Sequence, residues 1–369
     1  MLFNLERDDG DLVLFYLVPD THSEVPAARV AVDDYRTVIE FEANELRDAI
    51  RMAGRHETGL CGFRLDASIL PGLAGFEDLE IRERDSNILI YRRRPRDAVA
   101  RKILRIETRF LPMFSFERSV EPYFQYYSRQ IENYGLESST QMFQFSDIDS
   151  VYLAGRINYV NFAYYAEEFF ERVMFVDDPF VILAERLLVL GKLHESGRLN
   201  ALSDRDAVLL GPAAAFAAQL PVADGKAIRR ALRNVPREVA VALANPVTRL
   251  LTTKTPDEMP RPGALASALD TIASFAIVGI DDDEVGFRDT FAHLIERDPE
   301  TIAMTGVPAG VARFAQLLRE EAQAESLIAT DLELHAVVTS AHRRAVSRSE
   351  DTEGSSPDAV GSAADGTGR

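Results

Sequence analysis

The hydrophobic period of this chain changes once, near residue 100, and that change limits the folds open to it. Before it, apolar residues come in short runs with a period of two. "LVLFYLV" (12–18) is a short apolar run, and "TVIEFEA" (37–43) sets Ile39 and Phe41 against Glu40 and Glu42. "LEIRERDSNILIYRR" (79–93) is two alternating runs around Asp85-Ser86-Asn87, a hairpin signal. Strands of this kind each bury one face, so residues 1–95 are expected to pack as a small β-sandwich. "RRRPRDAVARK" (92–102) follows, basic and broken by proline. Residues 96–103 read as a solvated linker, with a phosphate-binding strip as the alternative.

From residue 103 strands alternate with helical patterns. "ILRIETRFLP" (103–112) predicts a strand ending at Pro112. The next stretch predicts a helix over 119–134, N-capped by Ser119 and stopped at Gly135, with Val120, Phe124, Tyr127 and Ile131 on one face. "SVYLAGRI" (150–157) is a second strand, followed by a helix near 160–171, and "RVMFVDD" (172–178) is a third. "PFVILAERLLVLGKLHE" is the helix after it, with Pro179 in its first turn. Residues 196–270 read as helices interrupted by prolines, "FAIVGI" (275–280) as a fourth strand, and 324–346 as a final amphipathic helix. Strand–helix alternation implies a parallel sheet with right-handed crossovers, here an α/β domain over 104–347. The apolar-poor residues 348–369 predict a disordered tail.

Charge and composition remove several function classes. A net charge of −18 argues against general binding of nucleic acid or anionic membrane. One cysteine, Cys61, makes no internal disulfide and suits a reducing compartment. The six histidines have no zinc-type spacing, so no metal is expected. No apolar run approaches the ~20 residues of a membrane span, and the acidic N-terminus is unlike a signal peptide. The expectation is a soluble cytoplasmic chain.

Residues 104–346 resemble the bacterial sulfotransferase family, whose members move a sulfuryl group from PAPS to a hydroxyl, often of a glycan. "RFLPMFSFERSVEPYF" is similar to the family's first strand, loop and helix; "VYLAGRINYVNF" is similar to its glycine-histidine strand, and "FVDDPFVILAERLL" to its RDP strand and helix. The distal "ALANPVTRLLT", "FAIVGIDDDEVGFRDTFAHLI" and "DLELH" segments follow in the family's order. The resemblance implies a P-loop-type sheet with PAPS at the first loop. At the matching positions Met113 replaces the loop lysine, Asp177 the RDP arginine, Glu185 the following serine and Arg156 the histidine. Each carboxylate about 4 Å from a phosphate costs about 1 kcal/mol in water and about 4 at an effective permittivity near 20. Arg156 is a poor general base. A degenerate PAPS site is therefore expected.

Arg118, Ser119 and Arg156 are the remaining candidates for holding an anionic cofactor: the first two by a helix N-terminus, the third at a strand end. Ser119 as a simple cap, and Arg156 paired with Asp177 or Asp178, are the structural alternatives. "VGIDDDEVG" reads as an acidic first helical turn. The aromatic run from Tyr123 to Tyr165 divides between core and a sugar-stacking cleft, and His56 reads as structural. "LRDAIRMAGRHETGLCGF" (46–63) resembles small β-sandwich modules of polysaccharide-assembly proteins. Two functions stay open. One is a non-catalytic component binding a glycan or a polysaccharide-assembly protein; the other is a divergent sulfotransferase using PAPS.

Overall fold

Alternation in the first ninety residues produces eight antiparallel strands. They are β1 (Leu2–Asp8), β2 (Leu12–Val18), β3 (Ala27–Val32), β4 (Thr37–Glu42), β5 (Glu45–Leu46), β6 (Leu60–Asp66), β7 (Glu80–Glu83) and β8 (Leu89–Arg92), with a short helix α1 (Asp48–Met52) after β5. The structure, a computed structural model, describes residues 1–353 except 22, 146, 147 and 223. The strands form two sheets of order β1-β2-β6-β5 and β4-β3-β7-β8. Val13, Phe15 and Leu17 of β2 are fully buried. Phe15 stacks on Phe63 at 4.5 Å in its own sheet and meets Phe41 of the other edge-on at 6.5 Å, so three rings join the two sheets. The β7–β8 hairpin forms as its alternation predicts, pairing Glu80 with Arg92, and Asn87 carries the turn at φ 58°.

The second period produces a five-stranded parallel sheet. Its elements are β9 (Lys102–Ile106), α2 (Phe114–Val120), β10 (Tyr126–Ser128), α3 (Leu136–Phe143), β11 (Val151–Gly155), α4 (Ala163–Phe169), β12 (Glu171–Val176) and α5 (Pro179–Glu195). Then come α6 (Asp204–Ala218), α7 (Gly225–Arg233), α8 (Arg237–Leu243), α9 (Pro246–Thr252), α10 (Ala264–Ala273), β13 (Ile277–Ile280), α11 (Glu284–Leu294), α12 (Ala309–Arg319), α13 (Ala322–Leu327) and α14 (Ala329–Glu353). The sheet order is β10-β11-β9-β12-β13, all parallel. The connection leaving β9 runs toward β10, whereas those leaving β11 and β12 run the opposite way. In such sheets ligands bind beyond the carboxyl ends, where the direction reverses.

Four expectations need correction. No helix spans 119–134: α2 ends at Val120, a 3₁₀ turn covers Glu121–Tyr123, and the chain becomes strand β10. Pro122 explains it, since it lacks an N–H and its ring clashes with the carbonyl one turn back. The basic segment is exposed at Arg94, Arg96 and Asp97, but its first arginines are held by partners in the chain. Arg93 bonds Asp8 and three carbonyls, Arg92 bonds the carbonyls of Glu121, Phe124 and Gln125, and Arg94 pairs with Asp149. Arg92 and Arg94 tie the antiparallel sheets to the segments flanking β10 and β11, while Arg93 closes up the antiparallel part. The final helix breaks at Ile328 into α13 and α14, and α14 runs to Glu353, past the expected start of the tail. The rest of the tail, 354–369, lies outside the described residues. Among the described residues no helix is long and apolar enough to cross a membrane.

Candidate functional site

The central strand carries a charge where a core residue is expected. Arg105 in β9 is only 1% exposed, and its guanidinium bonds Glu107 (2.7 Å), Glu117, the Tyr152 hydroxyl (2.8 Å) and the Met113 sulfur. Tyr127 donates to the same Glu117 carboxylate. Isolated, each of these charges would cost several kcal/mol to bury; together they satisfy one another.

The loop after β9 is the place where a phosphate-binding protein offers backbone N–H groups to its ligand. Here those groups are occupied from within. Glu185 of α5, completely buried, accepts from the Leu111 N–H (2.8 Å) and from Arg109 Nε (3.1 Å) and Nη2 (2.8 Å). Glu107 accepts at 3.4 Å from the N–H groups of Arg109 and Met113. At the start of α2 the Ser115 and Phe116 N–H groups are taken by the Thr305 hydroxyl (2.9 and 3.4 Å). The void beside this loop, between Glu107, Pro112, Glu117, Gly155 and Arg156, holds only about 10 Å³. That is room for about one water. Phe116 packs away from it against Phe287 and Phe291, and Phe114 is exposed.

The three candidate residues separate. Arg118 and Ser119 fall in the last turn of α2, the negative end of its dipole, with Arg118 exposed and Ser119 donating to the Phe116 carbonyl at 2.8 Å. The anion-binding expectation for this pair rested on a helix starting at 119, and that helix is absent. Arg156 sits one residue past β11, where its Nε bonds Glu132 (3.0 Å) and its Nη2 lies 3.6 Å from Asp206. Gly155 permits this: a Cβ there would lie 2.5 Å from Glu132 Oε2. Arg156 therefore pairs with neither Asp177 nor Asp178. Asp178 caps α5 through the Phe180 N–H (2.9 Å) and pairs with Arg319.

Asp177 lies at the end of β12 beside the Thr108 hydroxyl (3.3 Å). Burial pushes its pKa up to about 7; Arg109 opposes the rise, while Glu107, Glu185 and Asp281 add to it. Its unfolded value is about 3.9. Between these values the folded state holds a proton that the unfolded state has lost. The contribution of Asp177 to stability is thus highest below pH ~4, falls as pH rises toward about 7, and is level above it. Asp177→Asn keeps an acceptor for Thr108 and removes the penalty. Urea unfolding should show the variant more stable by on the order of 2 kcal/mol near pH 8 and equal to the parent near pH 4. A gain of the same size at both pH values would disprove the assignment.

Next to the filled loop lies a larger opening. A cavity of about 630 Å³ starts at Thr108, Arg156 and Asn158, beyond the ends of β9 and β11, and extends between α5, α6, α8 and α9. Five arginines line it (Arg156, Arg186, Arg205, Arg237 and Arg249) against Asp206, Glu238 and Asp257. The rest of the wall includes Phe110, Ile182, Leu210, Val241, Pro246 and Leu250. Arg156 lies over the Phe110 ring at 4.3 Å. Sequence reading passed over Arg186 and Arg249 because they sit in helical stretches. A signal did exist: "FVILAERLLVL" places two charges in the middle of an otherwise apolar helix.

Other singled-out residues are structural. Phe124, Tyr126, Tyr127, Tyr159 and Phe162 are buried, whereas Tyr164 is exposed and Tyr123, Tyr134 and Tyr165 are partly so; Tyr127 and Tyr134 line a separate opening of about 530 Å³ with Tyr35. His56 accepts the Gly59 N–H on Nδ1 and donates from Nε2 to the Glu24 carbonyl (both 3.0 Å). In the acidic turn before α11, Asp283 caps the helix through the Gly286 N–H (2.9 Å) and bonds His342 (2.9 Å). Among the described residues no cluster of three His, Cys, Asp or Glu side chains has metal-binding geometry.

The fold and site define an α/β protein with a parallel five-stranded sheet, an internally neutralised loop after its central strand, and an arginine-lined cavity beside it. No family model, no curated protein and no solved structure matches the chain.

Proposed function

We propose that this chain is a sulfotransferase-like protein of P-loop-type architecture, with an N-terminal β-sandwich module and without a working PAPS site. It acts as a non-catalytic binding component in the cytoplasmic stage of surface-polysaccharide assembly. One observation carries this reading: Glu185 and Glu107 occupy the loop N–H groups and Arg109, the groups that would hold the donor's phosphosulfate. A donor anion would have to displace two buried carboxylates and meet their charge. Such chemistry works by aiming pre-placed donors at developing negative charge, and here the donors are already spent. The glycan setting is supported by the resemblance of residues 46–63 and of the 104–346 segment order.

The test is turnover. The purified chain, incubated with radiolabelled PAPS and a panel of desulfated polysaccharides, is expected to transfer no label and to release no PAP above a protein-free control. Sustained sulfuryl transfer would establish the alternative, a divergent sulfotransferase.

A further inference from the structure

The strongest unexplained feature of the molecule is a charge without a partner. Arg186 of α5 lines the 630 Å³ cavity as a partly buried side chain; its Nε is buried without a hydrogen-bond partner, and no hydrogen bond or ion pair joins its guanidinium to a described residue. Its guanidinium lies 5.8 Å from the centre of the Phe110 ring. Arg249, only 6% exposed and on the facing wall, bonds the carbonyls of Pro256 and Val241, yet its Nε is also unpartnered. Arg156 completes the group, paired itself with Glu132 and Asp206.

Burial, together with Arg156 and Arg249, pushes the Arg186 pKa down to about 9, with Asp206 and Asp331 opposing. It remains cationic at neutral pH. A protein gains nothing in stability from such a residue, because burying an unpaired guanidinium costs free energy and a leucine would fill the same wall. An anion in the cavity would supply the partner that no described residue gives Arg186. Arginine is suited to this role: its planar fork binds tetrahedral oxyanions with two parallel hydrogen bonds. The apolar remainder of the wall, and a volume within the range for drug-sized ligands, call for more than an inorganic ion.

We propose that this cavity is a binding site for an organic oxyanion: a phosphate or sulfate head held by Arg186, Arg249 and Arg156, with an apolar body against Phe110, Ile182, Val241 and Leu250. The inference rests on the binding-protein reading above and names the ligand class for it. The site lies beside the filled loop and uses different groups, so the two readings fail separately.

The probe is anilinonaphthalene sulfonate, which joins an anionic head to an apolar body and fluoresces when bound. The full chain is expected to bind one equivalent, with affinity falling as salt rises. The neutral analogue phenylnaphthylamine should bind at least tenfold more weakly. Arg186→Leu should weaken probe binding at least tenfold while raising the melting temperature of the ligand-free protein. Arg186→Lys should retain part of the affinity, and Arg118→Ala, outside the cavity, should retain all of it. Competition by nitrophenyl phosphate and by nitrophenyl sulfate then shows which head the site prefers.

Absent probe binding, binding untouched by Arg186→Leu, or displacement by neither ester would overturn the proposal. So would a lower melting temperature for Arg186→Leu, which would make Arg186 a structural element. Sulfuryl turnover alongside Arg186-dependent binding would overturn the non-catalytic reading and leave the site standing.

Discussion

Arg105→Met should cost about 3–5 kcal/mol of stability at neutral pH. The methionine fits the space, so the loss comes from charge. Glu107 and Glu117, 5% and 1% exposed, would face each other without their shared cation, and Tyr152 and Tyr127 cannot replace it. The two carboxylates can escape only by taking up protons, so the deficit should shrink as pH falls toward 5. Adding Glu117→Gln to Arg105→Met should recover a good part of the loss, because a neutral side chain does not need the cation. Urea unfolding of both variants near pH 7.5 and near pH 5 measures this. A loss under about 1 kcal/mol for Arg105→Met would mean that the buried network contributes nothing net.

Glu185→Ala is the second large effect, and it probes the filled loop directly. Removing this carboxylate leaves the Leu111 N–H without its acceptor and Arg109 with the Thr305 carbonyl (3.2 Å) and the nearby Asp177, in a site 4% or less exposed for both Arg109 and Glu185. The expected cost is again about 3–5 kcal/mol. The vacated position is a small anion site made of a backbone N–H and an arginine, so millimolar sulfate should restore stability to the variant. Saturation at about a hundred times Kd would return about 2.7 kcal/mol. Chloride at equal ionic strength should not do so, and sulfate should shift the parent protein by no more than its general salt effect. Equal sulfate responses in the two proteins would mean that Glu185 does not stand where an anion would bind.

Much of the fold was legible in the sequence because it depends on near neighbours. Alternation located β2, β4 and the β7–β8 hairpin, and α5 occupies the run from Pro179 to Glu195 that its proline and apolar pattern mark out. The order of strands and helices after residue 100 was readable for the same reason. The stretch from 119 to 134 was misread because four apolar positions matched a helical face while one proline in their midst forbade the helix.

The site was not legible in the same way. Arg109 and Glu185 are 76 residues apart in sequence, Arg156 reaches Glu132 and Asp206 on opposite sides of itself, and Arg186 meets Arg249 only across the cavity between α5 and α9. Which charge neutralises which is set by the strand ends that the parallel sheet brings together, and no local pattern encodes that. The sequence by itself determined two hydrophobic periods and the elements they generate. Tertiary structure alone decided that carboxylates fill the loop and that an arginine beside it has no hydrogen-bond partner among the described residues. Periodicity is a property of consecutive residues, whereas the energy of a buried charge depends on whatever the rest of the fold places within a few ångströms of it.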